Sequence, residues 1–189
     1  YLLQKKIDEY KPDLITFSFW GSHLHAEGEY FSYHNGVKLI NNVIINKESI
    51  IVVGGTIPSS DPKKVLEQNP KINYVLKGEP ELVYADIAKN LDQKKSLNSK
   101  KNLNYLENGK LVSNKLRLLI DPLDQIPDVK MDIFDDRSFN RPFNGNIVRM
   151  LDFELSRGCW YKCTFCLSPS ICRVKSNIPL SSFIPVLHI

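Results

Sequence analysis

The stretch Ile50-Ile51-Val52-Val53-Gly54-Gly55-Thr56 decides the fold of this chain. An unbroken apolar run of this length predicts a short strand buried on both faces, because a half-buried strand would alternate apolar and polar residues. The two glycines that follow allow a sharp turn and let another group approach the backbone closely. The stretch therefore predicts a central strand of an α/β sheet, with an open position at its carboxyl end.

Similar short runs alternate with helical patterns on both sides of this stretch. We predict strands over residues 14–19, 50–53 and 73–76, and helices over 1–10, 27–45 and 80–91, with a further helix that begins at Asp61-Pro62. This alternation predicts a doubly wound, Rossmann-like parallel sheet covered by helices on both faces. Ligands of such sheets bind outside the carboxyl ends of the strands. The candidate binding residues at those ends are Ser18, Gly54, Gly55, Thr56, Gly78 and Glu79.

The middle of the chain reads as a linker. Residues 92–104 are rich in lysine, asparagine and serine, and predict a flexible connector. Asn108-Gly109 is a hairpin-turn signal between two short apolar runs. Pro122, Pro127 and the acidic residues that follow predict an irregular connection. We interpret residues 93–146 as a linker with a β-hairpin, between an α/β domain over 1–92 and a second domain that begins with a strand over 147–155.

Three of the four cysteines lie close together after that last strand. Residues 156–166 read Ser-Arg-Gly-Cys-Trp-Tyr-Lys-Cys-Thr-Phe-Cys, which spaces Cys159, Cys163 and Cys166 so that three thiolates can converge on one soft metal centre. Structural zinc usually takes four ligands in two distant pairs, and Cys172 has no paired neighbour. We therefore favour an iron–sulfur cluster over zinc or unligated thiols, with one iron left open for a substrate or cofactor.

Composition excludes several classes of protein. The chain has 189 residues, of which 42% are hydrophobic and 24% charged, as in ordinary globular domains. A net charge of +4 spread over many lysines does not indicate a nucleic-acid partner. No apolar run reaches the roughly 18 residues of a membrane span, and no signal peptide is evident. Clustered cysteines in such a chain predict metal ligation in a reducing cytoplasm.

The cysteine motif resembles the signature of radical S-adenosylmethionine enzymes, over about residues 147–176. The resemblance implies a [4Fe–4S] cluster held by Cys159, Cys163 and Cys166, with S-adenosylmethionine on the open iron. It also implies reductive cleavage to a 5′-deoxyadenosyl radical, and it places the aromatic Phe165 near the adenine.

Residues 1–92 resemble the cobalamin-binding domain that precedes the barrel in one large class of these enzymes. The resemblance rests on Pro-Asp-Leu-Ile at 12–15 with Ser18, on Ile-Val-Val-Gly-Gly-Thr at 51–56, and on Lys-Gly-Glu-Pro-Glu at 77–81. It implies that Ser18, Gly54, Gly55 and Thr56 line the nucleotide-tail side of cobalamin, with Gly78 and Glu79 nearby. His25-Ala26-Glu27-Gly28 imitates part of a cobalt-binding motif, but it follows a later strand, and we interpret it as coincidence.

These features predict a cytoplasmic, cobalamin-dependent radical S-adenosylmethionine enzyme. It would methylate or rearrange a small-molecule substrate and take electrons from a flavodoxin or ferredoxin. We expect the first βα unit of the cobalamin domain to be missing, residues 147–189 to be the truncated start of a (β/α) partial barrel, and the fragment alone to be inactive. A methylthiotransferase is disfavoured because residues 1–158 contain no cysteine for a second cluster. The alternative of another class is a non-enzymatic cobalamin- or metal-binding module.

Overall fold

The computed structural model describes residues 2–19, 31–45, 48–120 and 122–151, together with Thr164. Strands and helices alternate over its first half, as the sequence predicts. The helices are α1 (Leu2–Tyr10), α2 (Phe31–Asn42), α3 (Thr56–Ser60), α4 (Pro62–Gln68) and α5 (Glu81–Asp92). The strands are β1 (Leu14–Ser18), β2 (Ile50–Gly54), β3 (Tyr74–Leu76), β4 (Leu103–Glu107), β5 (Lys110–Ser113), β6 (Asn140–Phe143) and β7 (Asn146–Arg149).

The main sheet has five strands in the order β1-β2-β3-β4-β5. The first three are parallel, so the predicted α/β class is confirmed. The last two are antiparallel, because the hairpin that we predicted inside a linker extends the sheet beside β3. Within the described residues the strands follow one another across the sheet in chain order. Pairing of β4 with β3 buries Leu103 completely, which explains why the hairpin joins the sheet.

Helices cover both faces of the sheet. Ile51 and Val53 of β2 face one side, where they join a core built with side chains of α1, α2 and α4. Val52 points the opposite way and packs with Val83 and Ile87 of α5. The uninterrupted apolar run of β2 follows from this arrangement, since alternate side chains of a strand enter different cores.

The chain between β2 and β3 contains two helices rather than one. The predicted cap is confirmed: the Asp61 carboxylate accepts a hydrogen bond from the Lys64 backbone N–H at 3.1 Å, and Pro62 is the first residue of α4. The sequence did not predict α3, which begins directly after Gly55. Its first turn is tied to the neighbouring strand, because the Ile57 N–H donates to the Phe19 carbonyl at 3.4 Å.

Residues 93–102 are folded, and the prediction of a flexible connector there is wrong. Leu97 is only 2% exposed and belongs to the core beneath α5. The Asn90 amide donates to the Ser96 carbonyl at 2.8 Å and closes the turn after α5. Composition alone missed this, because one buried leucine among polar residues anchors the whole segment.

Residues 122–151 form short 3-10 turns and a second hairpin. The turns are Leu123–Gln125, Met131–Ile133 and Asp136–Phe139, and β6 pairs with β7 around Asn144-Gly145. The strand predicted over 147–155 corresponds to β7, and most of its remainder lies outside the described residues. Among the helices that the structure describes, none is long and apolar enough to cross a membrane.

Candidate functional site

The carboxyl ends of β1 and β2 meet at one edge of the sheet. Ser18 and Gly54 are register partners, and the Phe19 N–H donates to the Gly54 carbonyl at 2.9 Å. Gly55 and Thr56 follow at once, Thr56 as the first residue of α3. The structure therefore brings together Ser18, Gly54, Gly55 and Thr56, as the sequence predicts for strand ends of a parallel sheet.

Gly55 is required by the fold itself. Its backbone has φ 98° and ψ −178°, a region that residues with a side chain rarely adopt. A Cβ atom at this position would lie 2.3 Å from the Phe19 carbonyl oxygen and 2.7 Å from its carbon. Gly55 thus allows its own backbone to lie against the backbone of Phe19, the residue after β1. This requirement for glycine holds whatever ligand the edge binds.

Gly54 differs from its neighbour. A Cβ atom at Gly54 would lie 3.7 Å from the Leu76 carbonyl oxygen and 3.7 Å from the Tyr84 hydroxyl, which are ordinary contact distances. The packing of the described residues therefore does not demand a glycine here. Gly54 is itself buried, and a side chain there would face Leu76 and Tyr84.

Tyr84 reaches this edge from α5, although the sequence did not single it out. Burial raises the pKa of its phenol, and a hydrogen bond with the Thr16 side chain lowers it by a smaller amount. The phenol is therefore neutral at physiological pH, and its hydroxyl lies beneath Gly54, where it bonds to Thr16. Helical spacing could have indicated it, because Tyr84 lies three residues before the buried Ile87 on one side of α5.

Gly78 and Glu79 contact a different part of the chain. Gly78 turns the backbone after β3 with φ 92°. The Glu79 carboxylate accepts a hydrogen bond from the Ile120 N–H at 2.9 Å, which ties it to the segment after β5. The structure thus places Glu79 against residues 116–120, a contact that the sequence did not predict.

The predicted cluster ligands Cys159, Cys163 and Cys166 lie outside the described residues, as do Phe165 and the His25 motif. Within the parts of the chain that the structure describes, no three histidine, cysteine or acidic side chains are grouped as a metal site. The metal-binding prediction therefore rests on the spacing of the cysteines.

Comparisons with known proteins give two curated relatives, while no family model matches the chain. An uncharacterised methyltransferase of Pyrococcus horikoshii is 27% identical over 169 residues, which are 88% of this chain and 34% of that protein. The 4′-phospho-dehydrooxetanocin synthase of Priestia megaterium is 31% identical over 134 residues, 70% of this chain and 17% of the synthase. The chain thus spans about a third of the length of one relative and about a sixth of the other.

Solved structures that are similar to this one include two cobalamin-binding enzymes. The radical S-adenosylmethionine methyltransferase TsrM of Kitasatospora setae, with cobalamin and a [4Fe–4S] cluster bound, matches with a TM-score of 0.55 at 18% identity, over 88% of this chain and 34% of TsrM. The cobalamin-dependent S-adenosylmethionine radical enzyme OxsB, with aqua-cobalamin and S-adenosylmethionine bound, gives 0.50 at 22% identity, over 69% of this chain and 17% of OxsB. The matched part of this chain has the fold of the corresponding part of these two enzymes. The resemblance predicted from the sequence is confirmed.

Proposed function

We propose that this chain belongs to a cobalamin-dependent radical S-adenosylmethionine enzyme that methylates or rearranges a small molecule. The observation that carries the proposal is the pairing of Ser18 with Gly54 at the carboxyl edge of the sheet, in a chain that also contains the Cys-x3-Cys-x2-Cys motif. The solved structures of this fold that bind cobalamin support it.

The residues at the edge fit a bulky, flat ligand. Ser18 is exposed, and Gly54 has no side chain although packing would accept one. We propose that Ser18, Gly54 and Thr56 hold the nucleotide-tail side of cobalamin, with Gly55 fixing the turn between them. Small residues let a planar ligand approach the backbone, and hydroxyl groups can satisfy its polar atoms.

The second half of the proposal is a cluster held by Cys159, Cys163 and Cys166. Three thiolates suit iron–sulfur ligation, and Phe165 would stack near the adenine of S-adenosylmethionine. When bound, the cluster supplies the electron that cleaves S-adenosylmethionine, and cobalamin supplies a carrier for a methyl group. The protein's own task is to bind and orient these groups and the substrate.

Cobalamin binding is tested with Gly54→Ala on the full chain. We expect the wild type to bind hydroxocobalamin, measured by absorbance after gel filtration, and Gly54→Ala to bind at least about tenfold more weakly. The alanine should leave the free energy of unfolding within about 1 kcal/mol of the wild type, because its contacts are ordinary. Gly145→Ala is the control for affinity, since nothing lies within 4 Å of a Cβ atom there, and its φ of 76° should cost about 1–3 kcal/mol of stability. Equal affinity of all three proteins would contradict the proposed site, and a wild type without affinity would remove the cobalamin part of the proposal.

The cluster is tested by anaerobic reconstitution with iron and sulfide. Alanine at Cys159, Cys163 or Cys166 should abolish stoichiometric iron, whereas Cys172→Ala should retain it. Reductive cleavage of S-adenosylmethionine by the reconstituted protein would distinguish the enzyme from a non-enzymatic metal- or cobalamin-binding module. Stoichiometric zinc without iron would overturn the radical chemistry.

Location and partners complete the proposal. We propose a cytoplasmic protein because clustered thiols that ligate a metal centre are typical of a reducing compartment. A flavodoxin or ferredoxin would supply the electron. A methylthiotransferase stays disfavoured, since the only cysteines of the chain are at 159, 163, 166 and 172.

A further inference from the structure

Residues 115–120, which we call the strap, leave the sheet after β5 and cross the chain that follows β3. They have no regular secondary structure, yet Leu116, Leu119 and Ile120 are only partly exposed. Such a segment can hold one course only if its backbone groups are fixed by other parts of the fold. Three residues outside the strap hold it, two through its backbone and one through a side chain.

Asn102 is the first anchor. Its backbone N–H donates to the Lys115 carbonyl at 3.0 Å, and its side-chain oxygen accepts from the Arg117 N–H at 2.7 Å. Its side-chain amide donates to the Lys77 carbonyl at 2.7 Å. Asn102 is 3% exposed and adopts φ 68°, so this one buried side chain ties the strap to the end of β3.

Asp86 and Glu79 are the other two anchors. The Arg117 guanidinium pairs with the Asp86 carboxylate on α5. The Glu79 carboxylate accepts the Ile120 N–H at 2.9 Å, across 41 positions of sequence. Hydrogen bonds from backbone N–H groups to a carboxylate are among the stronger ones in proteins.

The strap leaves little room beside Glu79. The cavity between the strap, Gly78, Glu79 and Leu82 has a volume of about 10 Å³, which is the space of one water molecule at most. A corrin ring or its nucleotide tail cannot enter there while the strap keeps this position. The sequence predicts that Glu79 lies near the cobalamin contacts. The position of the Glu79 side chain against the strap favours another role.

We infer that Glu79 is a positioning residue, which together with Asn102 and Asp86 holds the strap across the carboxyl end of β3, rather than a cofactor contact. The strap is the part of the chain that leads from the sheet toward residues 122–151 and the cysteine motif. Glu79 therefore fixes the end of the strap, from which the chain continues toward those residues. The inference depends on the proposed function only for its cobalamin measurement.

Hydrogen–deuterium exchange of the full chain, read by mass spectrometry on peptides within 114–121, tests the inference without any cofactor. Glu79→Ala should speed exchange of the strap amides about tenfold, because Ile120 loses a charged acceptor. Glu79→Gln should largely restore protection, since its amide oxygen can still accept the bond. Leu118→Ala is the control, because Leu118 lies on the strap but is 78% exposed. Peptides of β4 should exchange alike in all four proteins.

Cobalamin provides the second measurement. The affinity of Glu79→Ala for hydroxocobalamin should stay within about threefold of the wild type, and cobalamin should not speed exchange of the wild-type strap. Unchanged strap exchange in Glu79→Ala, or a strap that exchanges faster when cobalamin binds, would overturn the inference. If Glu79→Ala also exposes β4, Arg117→Ala serves as the second variant. We expect Arg117→Ala to speed exchange in the strap alone, and unaltered exchange of the strap would contradict the inference. A wild type without affinity for cobalamin removes the cobalamin part of the proposed function and leaves the exchange test intact.

Discussion

Replacement of Gly55 by alanine tests the geometry on which the candidate site is built. The new Cβ atom would lie 2.3 Å from the Phe19 carbonyl oxygen, more than 1 Å inside ordinary contact. Backbone strain at φ 98° costs about 1–3 kcal/mol, and forcing the overlap apart costs about 1–3 kcal/mol more. We therefore expect Gly55→Ala to lower the free energy of unfolding by about 2–6 kcal/mol.

Gly109 supplies a matched control for this prediction. It has φ 75° in the β4–β5 turn, and nothing lies within 4 Å of a Cβ atom there. Gly109→Ala should therefore cost only the backbone strain, about 1–3 kcal/mol. Urea unfolding followed by circular dichroism measures both variants. A difference of less than about 1 kcal/mol between them would refute the argument that β1 and β2 are packed backbone to backbone at this edge.

Three further predictions concern the helices that cover the sheet. Ile40→Ala should lower the free energy of unfolding by about 2–5 kcal/mol, whereas Leu39→Ala should lower it by less than about 1 kcal/mol. The reason is that Ile40 is 0% exposed and its neighbour Leu39 on α2 is 41% exposed. Equal losses in thermal unfolding would contradict the packing of α2. Asp61→Ala should cost about 1 kcal/mol through loss of the cap on the Lys64 N–H, and Asp61→Asn should recover most of it in the same assay. Burial raises the pKa of Tyr84 in the folded protein, so the unfolded chain releases this proton at a lower pH than the folded protein does. The stability is therefore fully present below about pH 10 and falls as the pH rises through the folded pKa. Tyr84→Phe should flatten this fall in urea titrations at alkaline pH, and an unchanged profile would show that the phenol is not buried.

Many of the strands and helices can be predicted from short stretches of sequence. The apolar runs around Val52 and Val75 predict buried strands, and both strands pack on both faces. The run around Ile15 is buried less fully than predicted, because Thr16 and Ser18 are exposed. The Asp61-Pro62 pair predicts a helix start that the structure shows. Asn-Gly turns indicate hairpins equally well at 108–109 and 144–145. Only the first was predicted, although the second carries the same signal.

Long-range contacts were beyond the reach of these patterns. Nothing local indicates that the hairpin pairs with β3, since Val75 and Asn104 are 29 positions apart. The two adjacent glycines look equivalent in the sequence, yet only Gly55 meets the backbone of Phe19. Glu79 likewise reads as a strand-end ligand until Ile120 is seen to occupy its carboxylate.

The sequence by itself determined the class of fold, the strand ends that form the candidate edge, and the cysteine spacing that predicts a cluster. These properties depend on periodicity, capping and ligand spacing within about ten residues, where the backbone geometry is known in advance. Tertiary structure alone decided which strand ends meet, which glycine the fold requires and what occupies Glu79. Those outcomes depend on contacts between segments distant in the chain, which exist only after the sheet has assembled.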